Sequence, residues 1–127
     1  APVWSADVRA STLSLTTVLT FSGATPTISG GFGTTPSITA GTATAFRLNV
    51  GTGGIATAGV IGLPTAENGW NCAVENLTAT TANAMDQHTV QLSSTTTTAT
   101  LENQTVSTGA ALAWSSGDVL AVSCAAF

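Results

Sequence analysis

The segment MDQHTV places Asp86 two residues before His88, the only histidine in the 127-residue chain. Residues two apart on an extended strand face the same side, so a carboxylate there can orient an imidazole. Add one of the many serines and the set has the composition of a hydrolytic triad. A Ser-rich chain produces Asp-x-His by chance, however, and the simpler reading is an exposed histidine in a polar loop. Glu75 and Glu102 are a second candidate pair, since both follow apolar strand patterns. Two carboxylates across one gap would suit glycoside hydrolysis, which also calls for exposed aromatic rings to stack on the sugar. The three tryptophans are Trp4, Trp70 and Trp114, and the last two occupy inward strand positions.

The remaining chemistry is sparser. Asp7, Glu67 and Asp118 stand singly, which does not make a calcium loop. One histidine and two separated cysteines fall short of an ordinary zinc site. Glycine-rich GGFG (30–33) and GTGG (51–54) lead into no helix that would bind phosphate at its N-terminus. Asp118 in SGDVL reads as a turn acid bonding its own backbone before the last strand. The sequons at Asn76 and Asn103 are of the kind a Thr-rich chain produces by chance. No catalytic, cofactor-binding or metal-ligating residue is expected, and the chain reads as non-enzymatic.

The elements that carry these residues are strands. Hydrophobic residues make up 43% of the chain and charged residues only 6%, so Thr and Ser take over the polar role. Both favour strands and turns over helix interiors. Thirteen glycines and four prolines punctuate the sequence, and no helical period lasts beyond two turns. One all-β domain is expected, an antiparallel β-sandwich or jelly roll over 11–127, preceded by an extended N-terminal arm over 1–10.

Within that domain STLSLTTVLTF (11–21) alternates with period two, placing Leu13, Leu15, Leu19 and Phe21 on one face. Two similar decads follow, GATPTISGGF (23–32) and GTTPSITAGT (33–42). Proline beside a short apolar run marks an edge strand or elbow, here pinned by Ile28 or Ile38. The pair serves either to run beside a neighbouring subunit or as two edge strands of the monomer. TAFRLNV turns Phe46, Leu48 and Val50 inward, IATAGVIGL is a softer run, and WNCAVENL is the best candidate for a central strand. HTVQL, TTTTATLEN, ALAW and VLAVSC complete nine or ten strands. Cys72 and Cys124 both face inward, and we read them as two buried small hydrophobes. A disulfide between core strands is the alternative, and it requires an oxidising compartment.

Charge restricts the partners. With no lysine, two arginines and a net charge of −4, the chain lacks the basic footprint of a nucleic-acid or anionic-membrane binder. No stretch reaches the apolar length of a membrane helix, and no signal-peptide pattern opens the chain, so membrane insertion is not expected.

The order and spacing of GFGTTPSITAGTATAFRLNVGTGG, GVIGLP, ENGWNCAVENLT, STTTTATLENQT, STGAALAW and SSGDVLAVSC resemble a β-rich surface module of tailed bacteriophage virion proteins. The resemblance covers about residues 11–124 and carries over no catalytic residue. It implies a non-enzymatic, usually homotrimeric sandwich displayed on the virion surface, assembled in the bacterial cytoplasm. Because only about ten residues precede the first strand, a capsid decoration or cement protein contacting the major capsid protein is the first expectation. A receptor-binding tip of a tail or head fibre, meeting a host surface glycan through loops 78–88 and 103–109, is the alternative. The apolar residues expected at subunit contacts are Trp4, Ile28, Phe32, Ile38 and Phe127.

Overall fold

The computed structural model describes residues 23–78 and 86–127, which form eight strands in two four-stranded antiparallel sheets. The strands are β1 Thr27–Gly31, β2 Ser37–Gly41, β3 Ala45–Asn49, β4 Ala58–Gly62, β5 Trp70–Asn76, β6 Gln87–Ser94, β7 Thr98–Thr105 and β8 Val119–Ala126. One sheet runs β1-β4-β7-β6 and the other β2-β3-β8-β5. All-β architecture and sandwich layering match the expectation, and no α-helix occurs among the described residues. The expected arm (1–10, with Trp4), the strand 11–21 and most of loop 78–88 lie outside the described residues.

Strict alternation builds the core. β7 buries Ala99, Leu101 and Asn103 while Thr98, Thr100 and Glu102 look outward. β8 buries Leu120, Val122 and Cys124, and β3 buries Phe46 and Leu48. A one-residue slip in any of these strands would reverse its faces, so burial fixes the register. Trp70 and Trp114 complete the interior at 3% and 1% exposure. The expected ALAW strand is not formed. Only Ala111 pairs, as an isolated bridge to Gln104, because Trp114 instead donates its backbone N–H to Ala56 O at the mouth of the β3–β4 loop.

The two decads adopt the same form, once in each sheet. Each becomes an edge strand, β1 beside β4 and β2 beside β3. Each has a register shift at the equivalent place, between Ile28 and Gly30 and between Ile38 and Ala40. Such irregularities twist an edge and discourage a further strand from pairing with it. Among the described residues each sheet has one such edge on this side, and each copy supplies one. Ile28 and Ile38 pack, partly buried, against the core of their own chain.

Phe32, also expected at a subunit seam, has no exposed surface. Gly31, Phe32 and Gly33 all have positive φ, which turns the ring inward. It stacks on Trp114 with centroids 5.3 Å apart and lies over Gly59, where an added Cβ would come within 2.2 Å of the ring.

WNCAVEN is an edge strand and not the expected central one; the shorter AGVIG of β4 is central instead. The long apolar run of β5 is explained by what covers its free side. Gln91 on β6 crosses between the sheets, accepting from Cys72 N–H at 2.7 Å and donating to Trp70 C=O at 2.8 Å. Ser94 Oγ accepts from Trp70 N–H at 3.4 Å. A primary amide thus occupies the place of a neighbouring backbone along the Trp70–Cys72 stretch of the β5 edge.

Cys72 and Cys124 form a disulfide, which corrects the reading of two free thiols. They are direct partners on β5 and β8, with Cα atoms 4.0 Å apart. Neither spends its N–H on the other, since Cys72 donates to Gln91 and Cys124 to Thr44 C=O. Antiparallel sheets bring side chains closest at such non-hydrogen-bonded pairs. Apolar patterning cannot tell two buried thiols from a bonded pair; only the register does.

Replacing Gln91 with Ala leaves two buried backbone groups of β5 unpaired and should cost about 2 kcal/mol in urea unfolding. Adding a reductant opens a link between residues 52 apart in sequence and should cost roughly 2–4 kcal/mol in the same assay.

Candidate functional site

The reactive pairs suggested by the sequence are not brought together. Asp86 accepts from Ser107 N–H and Oγ–H at 2.9 and 2.8 Å, so its carboxylate anchors the 106–109 turn and does not orient His88. His88 is exposed on edge strand β6, opposite Gln104. Glu75 lies on the outer face of the β2-β3-β8-β5 sheet and Glu102 on the outer face of the other. The full sandwich, with sheets stacked about 10 Å apart, separates them, so they cannot share a substrate. Among the described residues no three His, Cys, Asp or Glu side chains converge as a metal site. No helix among them is long and apolar enough to cross a membrane.

Asp118 is the most enclosed acid, at 1% exposure. Its Oδ2 accepts from Ser115 N–H and Asn76 Nδ2–H, both at 3.0 Å, and its Oδ1 accepts from Thr78 Oγ–H at 3.1 Å. Thr78 Oγ in turn accepts from Val119 N–H at 3.0 Å. The turn acid read from SGDVL therefore also ties the end of β5 to the start of β8. Both sequon asparagines have internal roles. Asn76 belongs to this network, and Asn103, 1% exposed, donates to Gln87 Oε1 at 3.0 Å.

Tryptophan supplies no sugar-stacking platform among the described residues. Trp70 Nε1–H donates to Pro64 and Thr96 carbonyls at 3.0 and 3.2 Å, and Trp114 Nε1–H reaches Thr89 Oγ at 3.4 Å. A small polar cleft of about 210 Å³ opens between the sheets beside Glu75, Gln87, His88 and Asn103. Exposed apolar side chains are Ile55, Leu77 and Val106 on the loops joining odd to even strands, Leu92 on β6, and Phe127. Phe127 is thus the one expected contact residue that the described surface displays, at 62% exposure.

A shallow trough of about 730 Å³ lies on the outer face of the β2-β3-β8-β5 sheet. Ala45, Ser123 and Ala73 form one row across it, and Arg47, Ala121 and Glu75 form the next. Arg47 is the only arginine or lysine among the described residues, and it makes no ion pair among them. Strand alternation alone puts Arg47 and Glu75 on outward positions. That they share a row depends on the β3–β8–β5 register, which no local pattern discloses.

Fold and surface together define a β-sandwich whose enclosed polar side chains knit strands and loops. Comparison with protein-family models, curated proteins and solved structures finds no match for this chain.

Asp118→Ala should cost about 3 kcal/mol or more in urea unfolding, because three donors lose a charged acceptor in a closed site. His88→Ala should stay within about 0.5 kcal/mol of the parent in the same measurement, as expected for an exposed side chain with no enclosed partner.

Proposed function

We propose that this chain is a non-enzymatic structural protein of a tailed-phage virion surface, a capsid decoration protein that stabilises the shell through subunit contacts. The observation that carries the reading is how the chain uses its reactive side chains. Asp86, Asp118 and Asn103 each hold strands or loops in place, and Glu75 and Glu102 face opposite ways. What is left for partners is a broad, weakly charged surface of small and hydroxyl side chains, suited to packing against other subunits. Trp4 and Phe127 are the apolar contacts retained from the sequence, with the major capsid protein as the partner.

A fibre tip that binds a host glycan is the second reading, favoured by the small polar cleft beside His88 and Asn103. Among the described residues no tryptophan or phenylalanine lines that cleft to stack on a sugar.

The test is to mix the full chain with purified capsids, lacking it, of the phage that encodes it. A decoration protein co-sediments with the shells and raises their melting temperature, by about 2.7 kcal/mol of stabilisation per site at a hundredfold excess over Kd. Sedimentation with host cells and not with shells would replace this reading with the fibre tip. Binding to neither would contradict both.

A further inference from the structure

We propose that the outer face of the β2-β3-β8-β5 sheet is a self-association surface, occupied by a second copy of this chain with Arg47 of each copy paired to Glu75 of the other. The inference rests on strand register and charge placement, independently of the virion reading.

Arg47 on β3 and Glu75 on β5 both neighbour Ala121 on the intervening β8. They therefore stand on either side of one point, their backbones about 10 Å apart, or two strand spacings. A two-fold axis lying in the interface over Ala121, nearly parallel to β8, carries the Arg47 side of one copy over the Glu75 side of its partner. Both charge pairs then form at once, as an isologous interface requires. The other two-fold in that plane, running across the strands, would lay Arg47 on Arg47, and repulsion selects against it.

The surroundings favour the same occupant. Ala45, Ala73 and Ser123 are exposed and small, so two sheets can approach without interlocking long side chains. Arg47 and Glu75 cancel on this face, whereas the whole chain carries −4. Two copies therefore meet here without the repulsion they would meet elsewhere. The opposite sheet displays Glu102 on its outer face, and pairing through that face would bring like charges together.

A patch roughly 20 Å on a side buries on the order of 1,000 Å² in total, the lower end for a specific interface. The dimer should accordingly be weak, with a Kd of about micromolar or above, and should loosen as salt rises.

The test is sedimentation equilibrium of the full chain from low to high micromolar concentration, with charge-swapped variants. The parent should show a monomer–dimer equilibrium, and Arg47→Glu or Glu75→Arg alone should each weaken it at least about tenfold. Mixing the two single variants should restore a heterodimer, because every cross-pair is again of opposite sign. That recovery cannot come from a variant that has merely unfolded. A parent that is monomeric throughout overturns the proposal, as does a trimer, the state implied by the phage resemblance. Single variants that dimerise like the parent, or a mixture that stays monomeric, also overturn it.

Discussion

One side-chain amide bridges the two sheets of this sandwich. Gln91 reaches from β6 of one sheet to the free edge of β5 in the other, matching a donor and an acceptor on the backbone. Without it, β5 would present enclosed, unpaired N–H and C=O groups beside Trp70 and Cys72, and unpaired groups of that kind are costly. The disulfide then joins β5 to β8 at the residue whose N–H Gln91 accepts. On the opposite side β1 and β2, the repeated decads, end their sheets with matching irregularities instead of a bridge. Among the described residues the two sides of the sandwich are thus treated differently, one stitched and one blunted.

Few charges force this solution. With 6% charged residues, ion pairs cannot organise the loops, so hydrogen bonds from neutral donors, several of them to the carboxylates of Asp86 and Asp118, do it. Asp118 draws on Ser115, Asn76 and Thr78, and Asp86 on Ser107. Groups that look reactive in the sequence are the anchors of turns in the fold. The charges on the outer face of the β2-β3-β8-β5 sheet, Arg47 and Glu75, have no such anchoring role, which is why association with another copy is assigned to them.

The sequence discloses what depends on period two and hides what depends on pairing. Phe46, Leu48, Leu101, Leu120 and Val122 face the core as their alternation predicts. The role of Asp118 as a turn acid is likewise local and legible. WNCAVEN reads as central because its inward residues are large and apolar, yet its edge is covered by a side chain 19 residues away from Cys72. Phe32 reads as a surface anchor because nothing local reveals that three successive positive φ angles turn it inward. The trough is hidden for the same reason: Arg47, Ala121 and Glu75 come from three separate segments and become one row only through register.

Native-state hydrogen exchange at the Cys72 amide is the most direct check on the claim that Gln91 covers the β5 edge at Cys72. The account predicts that this amide, although on an edge strand and facing away from β8, exchanges as slowly as the Cys124 amide in the sheet interior. Exchange as fast as that of outward-facing amides on β1 and β2 would contradict it.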